Sequence, residues 1–191
     1  MKNNYYFLRH GQTIYQKEKI GINYPPDSPD ELQITEEGKD MIKNSAGQLK
    51  DKKIDLIFTS SYLRTRQSAE IAAEILGIKD VNYDDRIVDI DLGEFKGRTV
   101  KESDKFFSGV RGFKNRPKGG ESWGDVSKRV KDFLDDVEER YEGKNILVVS
   151  HADPIWLMLG HLRGVEKEGQ LFEARKDREN SYPKLGQLIK P

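Results

Sequence analysis

The apolar run Tyr5-Tyr6-Phe7-Leu8 ends abruptly in Arg9-His10-Gly11-Gln12-Thr13. A short, continuous, aromatic-rich run of this kind predicts a buried strand. The charged residues after it then occupy the turn at the strand's carboxyl end, the edge where open α/β sheets bind their ligands. Gly11 lets the backbone approach a neighbour closely, and Thr13 adds a hydroxyl donor. Arg9 and His10 pair an anion binder with a nucleophile. A histidine at a strand end is more often structural than catalytic, so the weight of this reading rests on the rest of the chain.

Residues 14–31 carry Pro25, Pro26 and Pro29 and read as a polar loop too broken to form an element, one that walls the active-site edge. Thr35 then caps a helix whose first turn holds Glu36 and Glu37 and whose buried face is Met41, Ile42, Ser45, Ala46 and Leu49. Residues 54–60 form a second strand and turn directly into a helix bearing Arg64, Ala69, Ala72, Ala73 and Leu76, closed by Gly77. Arg64 therefore lies where a helix amino terminus meets a strand's carboxyl end, a natural anion site. Residues 81–83 are a short edge strand, and residues 86–98, with carboxylates and glycines among apolar residues, an ordered loop. Residues 101–120 set Phe106, Phe107 and Phe113 among basic side chains; they read either as a solvated basic loop or as a pocket wall facing an anionic substrate. A long amphipathic helix begins at Ser122. The run 145–150 is the most strand-like in the chain and leads into His151-Ala152-Asp153-Pro154, with a helix over 155–162. In the tail, residues 164–191, only 185–189 suggest a final edge strand.

Strands alternating with helices predict an α/β three-layer sandwich, a mostly parallel central sheet with helices on both faces, in a single domain over residues 1–191. Residues 95–121 are a candidate substrate-capping segment. Lys+Arg and Asp+Glu are both 33, so no bulk charge draws the chain to nucleic acid or a membrane surface. There is no cysteine, and no apolar run of membrane length. These features together lead us to expect a cytoplasmic enzyme or binding domain.

Three strand ends thus carry Arg9-His10, Arg64 and His151, and a parallel sheet gathers such ends on one edge. Two guanidiniums and two imidazoles around one point make a receptor for a tetrahedral dianion. One imidazole can attack phosphorus while the surrounding charge stabilises the transferring group. A carboxylic acid must protonate the leaving oxygen, and the loop from Asp89 to Glu94 offers candidates.

At this point the sequence resembles the histidine phosphatase superfamily, in its phosphoglycerate mutase-like branch. Five stretches carry the resemblance in order: Arg9 to Thr13; Leu32-Gln33-Ile34-Thr35 with Gly38; Ser60 to Ala69; Asp89 to Gly97; and Gly119-Gly120-Glu121-Ser122 followed by Val149-Ser150-His151. The resemblance implies that His10 is the nucleophile that becomes phosphohistidine. It implies that Arg9, Arg64 and His151 hold the phosphate, Asp89 is the acid, and Gly11, Gln12, Thr13, Gln16, Glu94 and Ala152 adjoin the substrate. It also implies that no metal or cofactor is needed. Three positions depart from the family pattern. Asp89 stands where glutamate is usual and is about 1.5 Å shorter in reach, so Glu94 or Glu121 are alternative acids. Gln16 replaces an asparagine, and Ala152 a glycine. Related mutases carry a longer insertion before the second histidine, so transfer to water, hydrolysing a small phosphorylated metabolite, is expected over transfer to a second hydroxyl. A phosphate-binding module without turnover is the competing class. A metal site at His10 and His151 leaves Arg9 and Arg64 unexplained, because cations repel a metal.

Overall fold

A computed structural model describes residues 1–165 and 167–191. Its frame is one sheet of β1 (Asn4–Arg9), β2 (Leu56–Thr59), β3 (Val81–Tyr83), β4 (Asn145–Ser150) and β5 (Leu188–Ile189), in the order β3-β2-β4-β1-β5. All neighbours are parallel except β5, which pairs antiparallel with β1. The helices are α1 (Ile14–Lys17), α2 (Ser28–Glu31), α3 (Glu36–Gly47), α4 (Leu63–Leu76), α5 (Val100–Phe106), α6 (Trp123–Arg140), α7 (Ala152–Leu162) and α8 (Glu168–Ala174).

The two-residue period of the strands sorts the core into two layers. Tyr5, Phe7, Ile146 and Val148 pack on one face with Val130, Phe133 and Val137 of α6 and Ile155 of α7. Tyr6, Leu8, Leu147 and Val149 pack on the other with Ile42 and Ala46 of α3 and Ala69, Ala72 and Ala73 of α4. Each large apolar side chain so buried contributes about 1.5–3 kcal/mol. The sandwich matches the expected fold class.

Connectivity then fixes the site. After β1 the chain turns to α3 on one face; after β4 it turns to α7 on the other. β1 and β4 are adjacent and in register from Asn4 opposite Asn145 to Arg9 opposite Ser150. Neighbouring strands whose connections diverge open a crevice at their carboxyl ends. His10 and His151, the next residues on each strand, flank it.

Two glycines hold the end of β1 against α3. A Cβ on Gly11 would lie 2.5 Å from the Gly38 carbonyl oxygen, and one on Gly38 would lie 2.4 Å from that of Gln12. The contact is backbone on backbone, so neither partner can swing aside. Gly38→Ala is therefore expected to lower the unfolding free energy by about 2–3 kcal/mol in denaturant titration, and an unchanged midpoint would refute this packing role.

Several local expectations need correction. Residues 14–31 do contain elements, the single-turn helices α1 and α2. In α1 the Gln16 side-chain oxygen accepts from the Thr13 backbone N–H at 3.0 Å, a cap that supports one turn. In α2, Pro29 sits in the first turn, where its missing N–H costs nothing. The second strand is shorter than 54–60, and α7 begins at Ala152 rather than 155 because Pro154 is likewise tolerated in a first turn. Residues 101–120 include α5 and a 3₁₀ turn from Gly109 to Phe113. The final strand is confined to Leu188–Ile189. The tail folds back on the body: Leu171 and Tyr182 are buried, and Trp156 Nε1 donates to the Leu171 carbonyl at 2.9 Å.

Candidate active site

His10 continues β1, its backbone N–H bonded to the Ser150 carbonyl at 3.1 Å. Its ring Nδ1 lies 2.8 Å from the Gly11 carbonyl oxygen. A carbonyl can only accept, so Nδ1 carries the hydrogen and Nε2 keeps its lone pair. Burial, then the charges of Arg64 and Arg9, hold the imidazole well below the ordinary histidine range, so it is neutral. The tautomer and the charge state are both those of a nucleophile.

His151 sits beside it, ring centroids 5.2 Å apart. Its Nε2 is 2.8 Å from the Ser60 hydroxyl, which in turn is 2.6 Å from that of Thr65. Its Nδ1 is buried without a hydrogen-bond partner, 3.6 Å from Asp89 Oδ2. Burial and the Arg64 charge push this imidazole down as well.

Arg64, in the first turn of α4, is 1% exposed. Its guanidinium lies against the rings of Tyr24 and Tyr62, at 4.7 and 4.8 Å. Nη2 donates to Asp89 Oδ2 at 3.3 Å, whereas Nε and Nη1 find no acceptor. Arg9 donates through Nη1 to the Pro183 carbonyl at 2.9 Å and leaves Nε unpartnered. Among the described residues, the buried side-chain nitrogens and oxygens without a partner are Arg9 Nε, Arg64 Nε, Arg64 Nη1 and His151 Nδ1. All four converge on one cluster. Each such orphan costs about 1–3 kcal/mol or more, and an oxyanion bound among them would satisfy several at once.

Asp89 is carried by a loop braced from behind. Arg129 donates to the carbonyls of Arg86 and Val88 at 2.7 and 2.8 Å and of Asp89 at 3.0 Å. The same guanidinium grips Glu121 through two bonds, at 2.8 and 2.9 Å. Gly93 turns the loop at φ +51°, where a Cβ would lie 2.4 Å from the Lys118 carbonyl oxygen. Burial raises the Asp89 pKa, against the pull of Arg64. Of the three carboxylates considered as the acid, Asp89 alone faces the cluster. Glu121 is committed to Arg129, and Glu94 is exposed and accepts from the Lys118 backbone at 3.1 Å.

The remaining candidates fall into two groups. Gln16 and Ala152 line a cleft of about 280 Å³ that opens over His10. Gly11, Gln12, Thr13 and Glu94 are not among its lining residues. Gly11 N–H donates to Ser68 Oγ at 3.1 Å, and Gln12 Oε1 accepts from Thr35 at 3.2 Å. Thr13 donates to Gln16 Oε1 at 2.8 Å, and Gln16 Nε2 donates to the Tyr24 hydroxyl, so these residues brace the ring that flanks Arg64. Residues 100–107 do wall the cleft, but through Val100, Ser103, Asp104 and Phe107 rather than through the basic side chains.

Sequence reasoning missed Tyr24 and Tyr62 as neighbours of Arg64, and missed Asp153, Arg175 and Tyr182, which line the cleft from α7 and the tail. Only Asp153, two residues after His151, carried any positional signal. Among the described residues no cluster of three or more His, Asp or Glu side chains is placed to hold a metal, and no helix is long and apolar enough to cross a membrane.

Residues 5–174 match the family model of the histidine phosphatase superfamily (branch 1). The chain is 34% identical over 139 residues to phosphoserine phosphatase 1 of Hydrogenobacter thermophilus, covering 70% of this chain and 65% of that protein, just under two thirds of its length. It is 28% identical over 166 residues to the probable phosphoglycerate mutase GpmB of Salmonella choleraesuis, covering 84% and 74%. The fold superposes on Bacillus stearothermophilus YhfR with a TM-score of 0.77 at 24% identity, over 97% of this chain and 89% of that one.

Proposed function

The chain belongs to the histidine phosphatase superfamily, branch 1, and on that premise we propose that it is a phosphomonoesterase acting on a small phosphorylated metabolite through a phosphohistidine. The observation that carries this reading is the convergence of four unpartnered buried nitrogens around a neutral His10 whose Nε2 is free to attack. Arg9, Arg64 and His151 receive the phosphoryl oxygens. His10 Nε2 forms a bond to phosphorus as the P–O ester bond breaks, and the Asp89 carboxyl gives its proton to the departing oxygen. Water then enters, gives a proton back to Asp89, and its oxygen displaces His10 to release phosphate. The raised Asp89 pKa supports its role as the acid, since the protonated form is the one required. The name of the H. thermophilus relative supports hydrolysis. So does the short segment between Asp89 and His151, which leaves room for water. Metal is no part of this chemistry, and turnover is expected to persist in a chelator.

The test is hydrolysis of p-nitrophenyl phosphate and of alkyl phosphomonoesters in EDTA by wild type and Asp89→Asn. A nitrophenolate leaves without a proton, so Asp89→Asn is expected to slow it less than about fivefold but to slow alkyl esters by about 10²–10⁴-fold. For alkyl esters kcat/KM falls as pH rises through the raised Asp89 pKa, and this limb disappears in Asp89→Asn. Because burial and the Arg64 charge hold His10 well below the ordinary histidine range, its protonation adds no acid limb to kcat between pH 7 and 6. A wild type that binds phosphate yet hydrolyses none of these esters would mark a binding module instead.

A further inference from the structure

The tail places a second charged group over the cleft. Arg175, just after α8, lines the same cavity as His10 but lies beyond the family-matched residues. Its guanidinium is held among three rings, 4.4 Å from Tyr182, 4.8 Å from Trp123 and 5.6 Å from Trp156. Nε lies 3.3 Å from Asp153 Oδ1, and Nη2 donates to the Tyr182 hydroxyl at 3.1 Å. Neither bond uses Nη1. Tyr182 accepts from Arg175, so its own hydrogen remains available to donate. Burial keeps that phenol protonated.

Both ends of this arrangement are tied to the phosphate site. Asp153 follows His151 by two residues in the first turn of α7. Tyr182 precedes Pro183, whose carbonyl takes the hydrogen bond from Arg9. Asp104 of α5 lines the same cavity and is exposed, with no ion-pair partner among the described residues. This part of the wall therefore offers one fixed cation with a neighbouring phenol donor, and two carboxylates.

We propose that Arg175, Tyr182, Asp153 and Asp104 form a subsite for a zwitterionic leaving group, so that the substrate is the phosphate ester of a hydroxy-α-amino acid. The proposal rests on the phosphatase reading above. The substrate carboxylate takes Arg175 Nη1 and the Tyr182 hydroxyl, a charge-assisted pairing that a guanidinium makes well. The ammonium faces Asp104 and the outer oxygen of Asp153. A leaving group with a carboxylate alone meets two aspartates without compensation. One with an ammonium alone leaves Arg175 Nη1 and the Tyr182 hydroxyl hydrogen unused, with Asp153 alone on the guanidinium.

Four esters separate these terms: O-phospho-L-serine, 3-phospho-D-glycerate without the ammonium, O-phosphoethanolamine without the carboxylate, and p-nitrophenyl phosphate with neither. Wild-type kcat/KM is expected to be about tenfold or more higher for phosphoserine than for either half-equipped ester. Arg175→Gln is expected to lower phosphoserine and phosphoglycerate about 30-fold more than it lowers p-nitrophenyl phosphate, with Arg175→Lys recovering part of that ratio. Asp104→Asn, a change at an exposed position, is expected to lower phosphoserine and phosphoethanolamine about fivefold relative to phosphoglycerate. Should Arg175→Gln lack a cooperative thermal transition, the wild-type ranking and Asp104→Asn decide the matter. An equal slowing of all four esters by Arg175→Gln would reduce Arg175 to an anchor for the tail and overturn the subsite. So would a wild type that prefers phosphoglycerate. In either case persisting p-nitrophenyl phosphate turnover leaves the phosphatase reading standing, whereas its absence in wild type sinks both.

Discussion

His10→Ala is expected to lower kcat/KM for every phosphomonoester by at least about 10⁴-fold, the scale on which enzymes lose a nucleophile. The ring is 1% exposed, and the alanine variant should still bind inorganic phosphate through Arg9, Arg64 and His151, more weakly. A sharper form of the prediction concerns the atom. Nδ1 is spent on the Gly11 carbonyl at 2.8 Å, so the phosphoryl group must be carried on Nε2. Rapid acid-free quenching with labelled substrate, followed by separation of the two phosphohistidine isomers, reads this directly. Label on Nδ1, or label surviving in His10→Ala, would contradict the arrangement described here.

The second large effect is at Arg64. Two of its nitrogens are buried without partners, a cost that the proposed phosphoryl oxygens would relieve. Arg64→Ala is expected to lower kcat by about 10³-fold or more, as losses of transition-state guanidiniums do. Arg64→Lys should restore less than about a tenth of the lost rate, since one compact ammonium cannot reach several oxygens in fixed directions. Stability should move the other way. Arg64→Met keeps the volume beside Tyr24 and Tyr62 and removes two buried donors that lack partners, while Asp89, which loses its 3.3 Å ion pair, is 27% exposed and can take up a proton, so the denaturation midpoint in phosphate-free buffer is expected to equal or exceed the wild-type value. Removing the charge also relieves its depression of the His10 pKa, so the acid limb of any residual activity shifts to higher pH. A variant that lost stability while keeping most of its activity would make Arg64 a structural residue.

These residues were legible because their signals are local. A strand buried on both faces must be nearly all apolar, so an arginine or histidine at its end stands out, as at Arg9-His10 and Ser150-His151. The alternation of such runs with helical periods was enough for the sandwich. What stayed hidden depends on contacts distant in sequence. The one-turn helices α1 and α2 have almost no intrinsic stability; α1 rests on its Thr13–Gln16 cap, and α2 on Pro29 in its first turn and on its contact with α4. The backing of the Asp89 loop by Arg129 and Glu121 joins Asp89 to a residue 40 positions away and Asp91 to one 30 positions away, which no spacing rule reveals. Arg175 looks in sequence like any arginine of a charged tail. The ring cluster of Trp123, Trp156 and Tyr182, together with Asp153, gives it a fixed place.

The strand order has a consequence in time. β1 is made first, yet its two neighbours in the sheet, β4 and β5, are made last, and its pairing with β4 spans 141 positions. At translation rates of roughly 5–20 residues per second, β1 waits on the order of ten seconds for its first partner. Throughout that interval Tyr5, Tyr6, Phe7 and Leu8 have no sheet to enter, and Arg9 and His10 have no site. Four consecutive apolar residues thus stay unpaired until β4, the strand that places Ser150-His151 beside Arg9-His10, has been made.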